Sequence, residues 1–235
     1  DKQTSPLVFA EQQQFAAVAS IFVGISIFFM APFLSYTAMF ILFGCLICGC
    51  GIWAFTRKPS KQTIVSQKKQ MVIKKKYWLY YFLTFMAGAR RQIFMAFAVF
   101  LLVKKFEFSV QEVTLLFLIN NVINFMINPM IGRFIVRFGE RKLLSLEYLA
   151  LILVFIAYAF VESKMLAGVL YVLDHIFFGF GMGVKTYFQK IADPRDIAAS
   201  AAVGFTINHI AAVILPVIGG VLWMINYKIP FLGGA

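Results

Sequence analysis

Stretches of about 20 predominantly apolar residues recur along this chain with short polar breaks between them, and each is long enough for a helix to cross a ~30 Å hydrocarbon core. Hydropathy places them at 15–33, 36–56, 77–103, 110–131, 143–161, 166–190 and 197–225. The fold class this predicts is an all-α, polytopic transmembrane helix bundle. Composition agrees, with 61% hydrophobic and only 14% charged residues in 235, where a soluble domain is nearer half apolar. The net charge of +12 does not indicate nucleic acid, because the basic residues lie between apolar segments and not on a polar folded surface. Membrane lipid is the expected solvent, and a bacterial inner (plasma) membrane the expected location.

Lys and Arg fix the expected orientation, since they are retained in short cytoplasmic loops. The 57–76 segment carries eight of them, the 132–142 segment adds Arg133, Arg137, Arg141 and Lys142, and the 185–195 region adds Lys185, Lys190 and Arg195. Alternating spans put these 15 on one side against four, Lys104, Lys105, Lys164 and Lys228, on the other. The linker at 57–76 is polar, basic and without helical periodicity, so it reads as a cytoplasmic connection between 1–56 and 77–235. Residues 1–14 read as a loop without signal-peptide features, and 226–235 as the first turn of an eighth helix. Ser109 and Glu112 have capping-box spacing at the outer start of the fourth span. Trp53, Tyr77, Trp78, Trp223 and Tyr227 fall at span ends, where amphipathic rings favour the headgroup layer.

The segment Gly132-Arg-Phe-Ile-Val-Arg137-Phe-Gly139-Glu-Arg141-Lys142 resembles the glycine and basic loop signature of the major facilitator superfamily. It matches at Gly132, Arg137, Gly139, Arg141 and Lys142 and departs at Val136, where the family usually has an acid. The resemblance extends over nearly the whole chain, because a basic linker followed by five spans and a stub is similar to the family's middle loop and C-terminal half. It implies that the seven spans correspond to helices five to eleven, with helix twelve cut short and four helices of the same protein preceding them. It further implies alternating access by two rocking halves about a central site, with the Gly132–Lys142 loop in gating. Helices seven, eight, ten and eleven of such a transporter line the cavity, which here are the third, fourth, sixth and seventh spans.

Ionisable residues inside a span cost about 2.5 kcal/mol or more and usually face a cavity or partner. Arg90 and Arg91 lie roughly 20 Å along the third span; Asn120 and Asn121, with Asn124 and Asn128 continuing a stripe, lie about 15 Å into the fourth. Asp174 and His175 in the sixth, and Asn208 and His209 in the seventh, fall at ~12–18 Å. Glu147 sits near the cytoplasmic end of the fifth span. Arg90, Arg91 and Asp174 leave one excess positive charge at mid-depth, which an anionic solute would balance. The substrate-binding candidates are therefore Arg90, Arg91, Asn120, Asn121, Asn124 and Asn208. The candidates for moving H+ are Asp174, His175 and His209, since Asp and His titrate and recur in intramembrane relays; a structural Arg–Asp bridge and helix-packing histidines are the alternative. Lys185, 11 residues after Asp174, is a relay partner, an inner gate or a snorkelling residue.

Gly179, Gly183, Gly219 and Gly220 read as close helix packing, and Pro216 as a kink in the seventh span. Cys45, Cys48 and Cys50 read as small residues of a packed helix. No metal, cofactor or enzymatic constellation is expected, for no nucleophile and base, and no His-Glu-x-x-His set, stand at helical spacing. The function expected is secondary active transport of a small, anionic solute, proton-coupled. A transport-inactive scaffold or sensor on the same fold, and a drug or metabolite exporter, are the alternatives.

Overall fold

A computed structural model of the chain describes residues 5–30, 33–57 and 73–235. Ten α-helices follow in order among them: α1 (Ser5–Met30), α2 (Tyr36–Thr56), α3 (Trp78–Gln92), α4 (Val99–Lys104), α5 (Val110–Phe138), α6 (Glu140–Phe160), α7 (Lys164–Phe178), α8 (Met182–Ile191), α9 (Ile197–Ile225) and α10 (Lys228–Gly234). A π-helical segment, Ile93–Ala98, joins α3 to α4, and a 3-10 turn, Gly179–Gly181, joins α7 to α8. With these joins, seven helical rods among the described residues are long and apolar enough to cross a membrane. The protein is an all-α bundle of the expected class. Most of the 57–76 linker lies outside the described residues.

Several boundaries differ from the hydropathy reading, for a common reason: a helix does not stop where the hydrocarbon does. Residues 5–14, expected as loop, form the first turns of α1. Pro6 is tolerated there because the first helical N–H groups have no partner to lose. The 132–142 segment is likewise not a loop. Helix α5 runs to Phe138, α6 starts at Glu140, and Gly139 alone makes the corner with φ 82° and ψ 157°, a region essentially restricted to glycine. The capping box at Ser109 and Glu112 is present as expected.

The two glycines of the motif do different work. A Cβ on Gly139 would meet nothing, whereas one on Gly132 would lie 2.7 Å from the Cβ of Ala10 and 3.1 Å from the Pro6 carbonyl. Gly132 thus lets α1 lie directly on α5, with Ala10, Ile131 and Ile135 forming a small core. The α3/α9 pair uses the same device. Gly88 faces Asn208 and Gly204 faces the Tyr80 hydroxyl, and further along α9 Gly219 faces the Phe97 ring of the π segment. In the main core Phe94, Phe97, Leu101 and Leu102 pack on Phe155, Tyr158, Tyr171 and Phe231, so the π segment, α4, α6, α7 and α10 share it.

Helix α2 stands apart. It makes few contacts with the other described helices and is exposed along most of its length. Cys45, Cys48 and Cys50 are exposed on it, which corrects their reading as residues of a packed helix. Tyr77 is also corrected. Instead of facing headgroups it is buried; its hydroxyl donates to Asp196 (3.1 Å) and accepts from the Asp193 N–H (3.0 Å). Lys74 pairs with the same Asp196 carboxylate, and Lys76 lies 3.7 Å from it, so the start of α3 is tied to the turn before α9. Glu140 pairs with Lys190 at 2.7 Å across α6 and α8.

Gly139→Ala is expected to lower stability by about 1–3 kcal/mol through backbone strain alone. Gly132→Val is expected to loosen α1 from α5 by steric clash. Thermal melting in detergent checks both. Maleimide labelling of Ala10→Cys, in a chain whose Cys45, Cys48 and Cys50 are changed to Ser, checks the second further: residue 10 is buried against α5, so labelling is expected to be slow with Gly132 and faster with Gly132→Val.

Candidate functional site

The deepest charges meet at one place. The Arg90 Nη1 donates to Glu147 Oε1 at 2.7 Å, and the two side chains are 6% and 1% exposed. Arg90 is bonded to Glu147, so the alternative of an Arg90–Asp174 bridge is not formed, and Glu147, expected near the cytoplasmic end of its span, lies deeper than that reading placed it. Because α6 starts at Glu140, Glu147 lies two turns in, roughly 10 Å from the helix start. Depth counted along the chain treats every helix as upright and starting at one level, which is why the pairing is not visible in the sequence.

Both helical irregularities adjoin this pair. The π segment begins three residues after Arg90, and the 3-10 turn places Gly181 where a Cβ would be 3.9 Å from Glu147 Oε1. Single π turns inside α-helices frequently mark functional sites. Phe178, the last residue of α7, has the Arg90 and Arg91 guanidinium carbons 5.4 and 5.9 Å from its ring centroid, and the Tyr148 ring lies 6.0 Å from the Arg90 carbon. Arg91, about 100° further round the helix, is exposed and has no carboxylate partner among the described residues.

Asp174 is 1% exposed, makes no ion pair among the described residues, and has Oδ1 without a hydrogen-bond partner. It lies within electrostatic reach of Arg90, Glu147, Tyr158 and Tyr171. The buried cluster therefore holds one cation and two carboxyl groups. With Arg91 counted at the same level, two arginines stand against two carboxyl groups, which removes the expected positive excess at mid-depth.

A second group of polar residues borders a cavity of about 210 Å³ between α1, α5 and α7. Asn121, Asn124 and Asn128 come from α5, His175, Phe178 and Gly179 from the end of α7, and Gln13 and Ser20 from α1. Asn120 does not border it. A four-residue repeat drifts about 40° per step around a helix, so by Asn128 the stripe has turned away from Asn120, which is buried with both side-chain polar atoms unpartnered. The other candidates lie elsewhere. Asn208 packs on Gly88. His209 is exposed, with Nδ1 2.9 Å from the Phe205 carbonyl of its own helix and its ring on Phe205. Lys185 is exposed over the Phe9 ring. In the former loop motif, Arg137 lies over Phe138, and Arg141 and Lys142 are exposed in the first turn of α6. Among the described residues no group of His, Cys, Asp or Glu could hold a metal ion.

The comparison with known families decides the class: residues 7–216 match the model described as Major Facilitator Superfamily. The chain belongs to the major facilitator superfamily. No match to a curated protein or to a solved structure was found. The superfamily's members are secondary transporters and not enzymes, so this multi-pass protein belongs to a class that moves a solute across the lipid it is embedded in. Within that class Gln13, Ser20, Asn128 and Glu147 are additions to the candidate site. Glu147 carries a signal in the sequence, as an acid within a span. Gln13 and Ser20 carry none, because only the fold brings α1 against the cavity.

Removing either member of the Arg90–Glu147 pair leaves the other charge buried, at a cost on the order of 3–5 kcal/mol, whereas replacing both with apolar residues is often close to neutral. Arg90→Leu and Glu147→Leu are each expected to lower the melting temperature strongly, and the double variant to lose less than the sum. Arg91→Ala is expected to melt like the parent chain.

Proposed function

We propose that this protein is a proton-coupled secondary transporter of a small polar solute in which Asp174 carries the proton and the Arg90–Glu147 pair fixes the charge beside it. The observation supporting this is that the buried cluster contains more carboxyl groups than cations, with Asp174 held away from any direct ion pair among the described residues. A buried carboxyl without a counter-ion is costly as an anion and tolerable as a neutral acid. Proton exchange at Asp174 would thus change the net charge of the cluster by one, which is what couples a proton to a conformational step. His175, the next residue, borders the cavity and is the natural relay between it and Asp174.

The anionic solute expected from the sequence loses its main support. Glu147 takes up Arg90, so only Arg91 is left to meet an anion. His209 and Asn208 fit a relay or a binding role poorly, since one faces outward and the other is committed to the α3/α9 contact. The reading also keeps α1 and α2 as the last helices of an N-terminal half, 57–76 as a cytoplasmic linker and 77–235 as the C-terminal bundle. The close α1/α5 crossing at Gly132 would then join the two halves, and Gly139, Arg141 and Lys142 would serve the gating corner.

The test is uptake by the complete transporter in proteoliposomes with and without an imposed pH gradient. Asp174→Asn is expected to abolish gradient-driven accumulation by tenfold or more while sparing solute exchange without a gradient. Undiminished accumulation in that variant would sink the proposal, and a protein that moves no solute under any gradient would favour a scaffold or sensor.

A further inference from the structure

The cavity between α1, α5 and α7 has a chemistry of its own. Its border includes amide and hydroxyl groups from Gln13, Ser20, Asn121, Asn124 and Asn128, together with an imidazole, and among the described residues no Asp, Glu, Lys or Arg. Asn128 is 3% exposed, and its Oδ1 has no hydrogen-bond partner. The His175 Nδ1 is also buried without one. Gly179 lies against the Asn128 oxygen, for a Cβ there would stand 3.3 Å from it. The border is thus polar and hydrogen-bonding, although the Ser20 hydroxyl donates to the Ala16 carbonyl (2.9 Å), leaving its oxygen to act as an acceptor, and the Asn121 amide donates to the Phe117 carbonyl (2.9 Å).

Charge and size narrow the ligand. An ion entering this space would shed its hydration and find no opposite charge on the border, and that is far more costly than moving a hydroxyl or amide that regains its hydrogen bonds. Of the two arginines on the Phe178 ring, the buried one, Arg90, is bound to Glu147, and neither borders the cavity. The Phe178 ring supplies an apolar wall for a carbon skeleton. At about 210 Å³ the space is smaller than the ~300–1,000 Å³ typical of sites for drug-sized ligands, which disfavours a bulky exported drug.

We propose that this cavity binds a small uncharged solute bearing several hydroxyl or amide groups, with Asn124, Asn128 and His175 as contacts from the C-terminal bundle and Ser20 as the contact from α1. The inference rests on the transporter reading above and names its solute class. A site built to hydrogen-bond a hydroxyl discriminates strongly against analogues that lack it, because its own buried groups are then left unpaired. Since α1, α5 and α7 all contribute, occupancy also ties the two sides of the α1/α5 crossing together.

The experiment is uptake by the complete transporter in proteoliposomes of labelled erythritol and ribose as neutral probes, lactate and succinate as anions, and choline as a cation. Saturable uptake of erythritol or ribose is expected, with none for the charged probes. Asn124→Leu and Ser20→Ala are each expected to weaken it tenfold or more, and Asn124→Gln to restore part of it. Saturable uptake confined to lactate, succinate or choline, no saturable uptake of either neutral probe, or full affinity in Asn124→Leu and Ser20→Ala would overturn the inference. Neutral-probe uptake that ignores the pH gradient would refute proton coupling and leave the cavity assignment standing, whereas gradient-driven uptake of an anion would do the reverse.

Discussion

A buried ion pair is the constraint around which this bundle is arranged. In lipid a lone arginine is costly to place at mid-depth, and the 2.7 Å bond from Arg90 to Glu147 pairs the buried one of the two arginines in α3. The bond spans from the Arg90 side chain of α3 to the Glu147 side chain of α6, and both irregular segments lie beside it. The π turn after Arg90 shifts the register of the following residues, and Phe94 and Phe97 then enter the main core. The 3-10 turn at Gly179–Gly181 brings glycine, with no side chain, against Glu147. Regular helix is given up where the charges are accommodated.

The consequences run outward from that pair. Once Arg90 is neutralised, Asp174 is a buried acid with no direct counter-ion among the described residues, and its neighbours on the core side are Tyr158 and Tyr171. His175 stands one residue on, about 100° further round α7, and borders the amide-lined cavity. Two adjacent residues of α7 thus look into two environments, one a charged core and one an uncharged chamber. Under the proposed proton-coupled reading, this separation would let one helix serve proton and solute at once.

Much of the fold is legible in the sequence because lipid imposes a simple rule: seven apolar lengths give seven spans, and basic residues at their ends suggest their direction. The capping box at Ser109 is legible because its partners are three residues apart. Contacts between helices are not. Hydropathy places Glu147 nearer a span end than it is because it cannot see that α6 begins at Glu140, and it makes 132–142 a loop because charged residues lower the average where the helix in fact continues. Asn120 and Asn121 look equivalent in sequence and differ by ~100° in space, enough to put one at the cavity and the other in the packed interior. Arg90 and Arg91 divide in the same way.

The central claim is that Asp174, and not Glu147, exchanges the coupling proton. Infrared difference spectroscopy of the complete transporter across a pH step measures this directly, because a protonated carboxyl group has its own carbonyl band. The account predicts a pH-dependent carboxyl band that disappears in Asp174→Asn and persists in Glu147→Gln. A band that survives Asp174→Asn and is lost in Glu147→Gln would contradict it.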